Sequence, residues 1–316
     1  MGSPDPTPGV SAPVLILTGP TAVGKSSLAL AVAEATGATI LSADSRQVYR
    51  GMAVGTAAPA PGERARVPHR FVGSLDVPVL YSAGQYYNDC KLAITDLRAS
   101  DQPALVVGGS TLYVHALVRG IADLPALAPD LQGRLQREAS TDGGRSRLYA
   151  ELRDADPESA RTLDPTKSQR LVRLVGLLRQ TGTPPSTLWS EGHRPALPHR
   201  LIVLDRPRAE LYRRIEARVD AMFEGGLVDE TRALLASHPD ARPLLDATIG
   251  YREVAAMLDG DLARTDAVRL VKRNTRRYAK RQLTWLRRYD EAVWLDARTA
   301  TVDDVLEAAA PWPSRT

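Results

Sequence analysis

Along the chain, short apolar runs alternate with longer stretches in which apolar and polar residues recur at helical spacing. Val14 to Thr18 is one such run, ended by Gly19-Pro20, the pattern of a parallel strand buried on both faces. Ser26 to Thr36 then predicts a helix closed by Gly37. Ala38 to Ser42 predicts a second strand running into Ala43-Asp44-Ser45-Arg46, and Ala104 to Val107 a third running into Gly108-Gly109. Leu201 to Leu204 predicts another, followed by a helical pattern from Arg208 to Leu235 that breaks near Gly225-Gly226. Arg269 to Arg288 predicts a further helix and Val293 to Leu295 a last strand. Strands alternating with helices imply an α/β fold, a parallel sheet flanked by helices. From about Arg119 to His199 the pattern turns to polar, Arg-rich helical segments broken by Pro125, Pro129, Gly143-Gly144, Pro157 and Pro184-Pro185, which predicts a mainly helical insertion. The expected organisation is a flexible tail at 1–13, a core at 14–118 and 200–300, the insertion at 119–199 and a C-terminal tail at 301–316.

Composition narrows the class. The 316 residues are 43% hydrophobic and 25% charged, enough to bury an ordinary core. The formal net charge is only +4, but arginines cluster toward the C-terminus, and a local basic stripe steers a polyanion whatever the total. Cys90 is the single cysteine, which excludes an intrachain disulfide framework and a Cys-rich metal site and fits a reducing compartment. The opening stretch lacks the charged and apolar regions of a signal peptide, and no run of about 18 apolar residues occurs, so a cytoplasmic protein without a membrane span is expected; a monomer is the expected state, though nothing in the sequence fixes it.

In an open parallel sheet ligands sit beyond the carboxyl ends of the strands, which selects Gly19 to Ser26, Asp44 to Gln47 and Gly108 to Thr111 as candidates. Gly19-Pro20-Thr21-Ala22-Val23-Gly24-Lys25-Ser26 satisfies the G-x-x-x-x-G-K-[ST] pattern, a P-loop. Its backbone N–H groups and helix N-terminus wrap a diphosphate, the lysine adds a point charge and the hydroxyl reaches Mg²⁺. Asp44 ends the second strand and is the best-placed acid for a base or an Mg²⁺ contact; the plainer reading is a cap for the next turn. The third strand ends in Gly108-Gly109 with no acid, so a metal-binding Asp of the kinase kind would have to be Asp205, itself readable as a strand-end turn. Lys272, Arg276 and Lys280 recur every four residues beside a parallel row of Arg273, Arg277 and Arg281. Like charges at that spacing repel by roughly 0.2–0.5 kcal/mol per pair, so the stripe calls for a polyanion or an acidic partner. Tyr278, Trp285 and Tyr289 interleave with it and read as a face packed on the sheet, with stacking on bases as the alternative. His69, His193 and His199 show no metal-ligand spacing.

Together these motifs resemble the tRNA dimethylallyltransferases. The resemblance runs through the P-loop, Asp44-Ser45-Arg46-Gln47-Val48-Tyr49-Arg50, Gly55-Thr56-Ala57, Gly108-Gly109-Ser110-Thr111-Leu112-Tyr113 and Gln169-Arg170. It continues in the helix from Arg214 to Met222, in Thr248-Ile249-Gly250-Tyr251-Arg252 and in Lys280 to Arg287. Ser110 and Thr111 stand where the family reads Thr and Gly, and His69-Arg70-Phe71-Val72-Gly73 departs from a histidine pair followed by an acid. The resemblance implies transfer of a dimethylallyl group from dimethylallyl diphosphate to N6 of the adenosine at position 37, beside the anticodon of tRNA. It implies Asp44 as general base, with Ser110 hydrogen-bonding near the reacting junction. It also implies a diphosphate held by the P-loop, Arg214 and Arg218, and Mg²⁺ at Ser26 and Asp44. Contacts with the anticodon stem-loop are implied for Ser45, Arg46, Gln47, Gln169, Arg170, Arg173, Thr248, Gly250, Tyr251, Arg252, Lys280, Arg281, Gln282 and Arg287, with the insertion contacting tRNA. The rival readings are a P-loop nucleotide or small-molecule kinase, an RNA-binding module without catalysis, and prenylation of free adenine nucleotides.

Overall fold

The structure is a computed structural model that describes residues 13–122, 124–164, 166–310 and 312. The tail expected at 1–13 lies, apart from Pro13, outside the described residues. By internal packing the chain forms two compact units, one from the residues up to Arg119 together with those from Leu197 on, the other from Gly120–Ala196. The first unit opens with β1 (Val14–Thr18), α1 (Lys25–Thr36), β2 (Thr39–Ser42), α2 (Pro61–Arg66), β3 (His69–Arg70), α3 (Ala83–Ala99), β4 (Ala104–Gly108) and α4 (Thr111–Arg119). The second holds β5 (Ile121–Ala122), α5 (Pro129–Ala139), α6 (Asp142–Ala155), α7 (Pro157–Thr162), α8 (Ser168–Thr181), α9 (Pro185–Glu191) and β6 (His193–Arg194). The first unit resumes with β7 (His199–Asp205), α10 (Arg208–Glu224), α11 (Leu227–Ser237), α12 (Arg242–Asp246) and α13 (Tyr251–Leu258). It ends with α14 (Arg264–Leu286), β8 (Val293–Asp296) and α15 (Val302–Ala309).

Six strands make one sheet in the order β3-β2-β4-β1-β7-β8, each neighbouring pair parallel. Every residue of β1, β2 and β4 is buried, which is what apolar runs covered on both faces require. Because β2, β4 and β1 are neighbours, the segments leaving their carboxyl ends meet: Gly19–Ser26, Asp44–Gln47 and Gly109–Ser110. The second unit has its own core, with Leu135, Leu148, Leu152, Leu171, Leu174 and Val175 among its buried residues. Alongside its five helices it carries a short antiparallel pair, β5 with β6.

Where a tail was expected from 301, residues 302–309 form α15. Thr301 starts it: its Oγ accepts from the Asp304 N–H at 3.2 Å while Asp304 Oδ2 accepts from the Thr301 N–H at 2.8 Å. Val305 and Ala309 then bury in the cluster that contains Leu15, Leu17 and Ala29, so this segment belongs to the core. α14 also begins earlier than its charge pattern indicated, because Ala267 and Val271 in its first turns pack in a second cluster with Phe223, Leu227 and Tyr251.

A Cβ placed on Gly108 would stand 2.2 Å from the Ala43 carbonyl oxygen. That oxygen is held in place, since it accepts from the Ser110 N–H at 3.1 Å. Gly108→Ala is expected to cost roughly 1–3 kcal/mol of stability, the usual range for overpacking, as measured by urea unfolding. Wild-type stability in this variant would mean that β2 and β4 do not abut there.

Candidate active site

The P-loop is shaped by close approach of backbone. Gly19 has φ 151°, and a Cβ there would lie 2.6 Å from the Leu204 carbonyl oxygen at the end of β7. Val23 anchors the loop from below, fully buried in the core. The Lys25 ammonium donates to the carbonyls of Gly19 at 2.9 Å and Pro20 at 2.8 Å. α1 starts with no side-chain cap and no acid in its first turn, and among the described residues the N–H groups of Gly24, Lys25 and Ser26 donate to no protein acceptor. Two arginines from α10 close over the loop: Arg214 Nε donates to the Ala22 carbonyl at 2.8 Å, and Arg218 Nη2 to the Thr56 carbonyl at 3.1 Å. Burial, with the neighbouring Arg218, pushes the Lys25 pKa down to about 7, against a weaker pull upward from Asp44. Burial likewise lowers Arg218, which Asp44 partly offsets. Bare N–H groups beside desolvated cations are the electrostatic complement of a diphosphate. A surface cavity of about 470 Å³ opens at this point, lined by the loop, Arg214 and Arg218.

Asp44 stands where two further cavities adjoin. The smaller, about 100 Å³, runs from Lys25 and Ser26 past Asp44 between α1 and the sheet, with Leu30, Ile40, Val72 and Val107 in its wall. The larger, about 510 Å³, is lined by Ser45, Arg46, Thr248, Gly250, Arg252 and Arg281 among others. Thr21, Asp44, Arg218 and Tyr278 line both. Asp44 does cap the turn that follows it, through Oδ1, which accepts from the N–H groups of Arg46 at 2.8 Å and Gln47 at 3.3 Å. Oδ2 accepts no hydrogen bond among the described residues, so one carboxylate both fixes its own loop and keeps an oxygen for chemistry.

The residues singled out by sequence divide into three groups. Ser45, Arg46, Gly250, Arg252 and Arg281 line the larger cavity, and Lys280 and Arg287 line a third, of about 760 Å³, with Asp205 and Trp294. Gln169 and Arg170 are exposed on α8 of the second unit and Arg173 is half-buried there. Others are turned inward. Ser110 is buried and lines neither cavity at Asp44; its Oγ accepts from the Ser45 N–H at 2.8 Å and so props the Asp44 segment from behind. Gln282, 2% exposed, accepts from the Thr21 N–H at 2.9 Å and donates to the Gly109 carbonyl at 2.6 Å. Tyr251 is fully buried; Thr248 reaches the wall of the larger cavity but is nearly fully buried, and its hydroxyl donates to the Leu244 carbonyl at 2.7 Å. Gln47 lines the smaller cavity, but its amide is bonded to Ser42 and to the Thr56 and Ala57 carbonyls.

The family described as IPP transferase matches residues 47–289. The chain belongs to the IPP transferase family. It is 43% identical over 303 residues to a tRNA dimethylallyltransferase of Salinibacter ruber, covering 95% of this chain and 93% of that one. A tRNA dimethylallyltransferase of Chlorobium phaeobacteroides is 42% identical, with 91% of each chain covered. Among solved structures, a full-length tRNA isopentenylpyrophosphate transferase from Bacillus halodurans superposes with a TM-score of 0.67 at 31% identity, covering 94% of both chains. A eukaryotic dimethylallyltransferase acting on tRNA gives a TM-score of 0.75 at 26% identity over 91% of this chain and 74% of that one.

This IPP transferase carries site residues that its sequence pattern did not single out. Tyr278, read as a packing residue, lines both cavities at Asp44, and burial together with the Asp44 charge raises its hydroxyl pKa so that it stays protonated. Glu253, 3% exposed, accepts from the Gly250 N–H at 2.8 Å and from Asn274 Nδ2 at 2.8 Å, holding the Thr248–Arg252 turn against α14. Its signal was available: Gly250 and Glu253 are spaced as a helix start with an acid at the third position.

Lys25 titrates near 7 in the folded chain and near 10.5 when unfolded, so between those values the unfolded chain holds the extra proton and stability rises with pH. In the absence of diphosphate and Mg²⁺, Lys25→Met is expected to lose that rise; parallel urea-unfolding profiles for the two proteins from pH 7 to 10 would refute it. Gln282→Ala removes the acceptor of the Thr21 N–H and leaves the Gly109 carbonyl with only the Tyr278 hydroxyl at 3.5 Å, at about 1–3 kcal/mol for a buried orphan. Calorimetry should show the loss of stability together with weaker pyrophosphate binding, and unchanged binding would show that the loop does not need the amide.

Proposed function

We propose that the chain transfers the dimethylallyl group of dimethylallyl diphosphate to N6 of the adenosine at position 37, next to the anticodon of tRNA, and releases pyrophosphate. The observation that carries the reading is the junction at Asp44, where one cavity leads to the P-loop and another opens between Arg46, Arg252 and Arg281. Donor and acceptor can therefore reach one carboxylate from two directions, and the relatives' names supply the group moved, dimethylallyl, and the acceptor class, tRNA.

An exocyclic adenine amine is a poor nucleophile because its lone pair is delocalised into the ring. It needs a base, a good leaving group and alignment to roughly 3–3.5 Å. In our reading N6 attacks the allylic carbon, the bond from that carbon to the diphosphate oxygen breaks, and the N6 proton passes to Asp44 Oδ2. Lys25, Arg214, Arg218 and the free N–H groups of the P-loop take up the charge that collects on the departing pyrophosphate. Apolar walls at Leu30, Ile40 and Val72 suit the five-carbon group. The base must leave its stack to react, and the larger cavity, with Arg46, Arg252 and Arg281 at hand, is where it would enter. Gln169, Arg170 and Arg173 on α8 offer a second contact with the tRNA.

Magnesium fits this donor set. Among the described residues no three His, Cys, Asp or Glu side chains group as an all-protein cage. Ser26 and Asp44 line one cavity, a hydroxyl and a carboxylate of the kind that suit an ion held mainly by phosphate and water. Bound there, the ion would neutralise charge on the diphosphate. A kinase reading has less support, because Asp205 lines the third cavity instead and its Oδ1 accepts from the Arg206 N–H at 2.8 Å.

The test is incubation with labelled dimethylallyl diphosphate, Mg²⁺ and unmodified tRNA, followed by digestion to nucleosides. Label is expected on N6 of one adenosine, and Asp44→Ala should slow its appearance by about 10²–10⁴-fold. Unlabelled tRNA with ATP consumed would sink the reading in favour of a kinase.

A further inference from the structure

Glu230, on α11, takes no part in the chemistry above, yet its carboxylate accepts four hydrogen bonds. Oε2 receives the N–H groups of Ala53 and Val54, both at 2.8 Å. Oε1 receives the Gly55 N–H at 3.0 Å and the Tyr251 hydroxyl at 2.6 Å. Three consecutive N–H groups turned on one carboxylate form an anion nest, so the charge fixes a stretch of backbone rather than a side chain. Tyr251 is fully buried, and burial together with the Glu230 charge drives its pKa up, which keeps the hydroxyl a donor.

What this backbone does next connects it with the site. The Thr56 carbonyl accepts from Arg218 Nη2 at 3.1 Å, and the carbonyls of Thr56 and Ala57 both accept from Gln47 Nε2 at 3.2 Å. Arg218 lines both cavities at Asp44, and Gln47 lines the smaller. An arginine side chain has several rotatable bonds and a buried charge that must be aimed; a carbonyl held by its neighbours' N–H groups gives it one direction.

We propose that Glu230 is a positioning residue for prenyl transfer: with Tyr251 it sets the 53–57 loop as a template whose carbonyls aim Arg218 at the bound diphosphate and hold Gln47 in the wall of the smaller cavity. The proposal rests on the reading of the site given above. It differs from a merely structural role in one respect: the effect of Glu230 on diphosphate binding passes through Arg218. In Glu230→Gln one oxygen becomes an NH₂ donor facing N–H donors, so the nest opens while the side-chain volume is kept.

The experiment is a double-mutant cycle on the full chain with pyrophosphate and Mg²⁺ as the probe, read by titration calorimetry. Glu230→Gln is expected to raise the pyrophosphate Kd about tenfold, the scale of one charge-assisted hydrogen bond. In an Arg218→Ala background the same change should alter Kd by less than about twofold. The same factor in both backgrounds, or wild-type affinity in folded Glu230→Gln, would overturn the proposal. If Glu230→Gln does not fold, the cycle is run with Tyr251→Phe, which keeps the carboxylate and removes one donor, with the same two outcomes at smaller size. Absence of prenyl transfer by the wild type would refute the reaction assigned above, whereas the pyrophosphate cycle reports on Glu230 alone.

Discussion

Parallel strands can serve one ligand only where their ends come together, and here β2 and β4 do so through backbone alone. The Ala43 N–H donates to the Val107 carbonyl at 2.7 Å, and the Ala43 carbonyl accepts from the Ser110 N–H at 3.1 Å. Pairing thus continues past the last residue of β2, and Asp44 leaves the sheet from a fixed point. Gln282 completes the frame, since one buried amide joins α14 to both the P-loop and the end of β4. The site takes its geometry from sheet register and main-chain hydrogen bonds, with side chains added to a frame that is already set.

Against that frame the charges are held at a cost. Lys25 and Arg218 are desolvated close to one another, with Asp44 as the acid that offsets them. A fold selected for stability alone would not place them so; a fold that must stabilise a leaving pyrophosphate gains from cations that need no rearrangement during the reaction. α14 spreads its charge differently. Lys272 and Arg276 find acids on α10, at 2.7 Å from Asp220 and 2.5 Å from Glu216, while Arg273 and Arg277 are exposed and carry no ion pair among the described residues. Part of the basic stripe is thus answered within the protein, and the rest stays open to solvent.

The chemistry nearest the backbone was the most legible in the sequence. The P-loop, the strand ends and the alternation of strand and helix are local patterns, and an apolar run between glycine-rich turns has few ways to fold. The direction a side chain faces was less so. Gln282 and Tyr251 sit in motifs for which the family resemblance implied tRNA contact, but the helix phase that turns them inward is set by packing of α13 and α14, which only the tertiary structure decides. Glu230 gave no signal because its partners are main-chain N–H groups about 175 residues away in sequence. α15 could have been read: Thr301-Val302-Asp303-Asp304 is a helix start of capping-box type, passed over because the segment lies at the chain end.

The Leu197 N–H donates to the Leu117 carbonyl at 2.9 Å, so the first unit is tied together on either side of the residues that make the second. A polypeptide that departs and returns at adjoining points leaves its host's topology unbroken. Inserted helices of this kind can be lengthened, trimmed or exchanged as a cassette while the host unit keeps its fold.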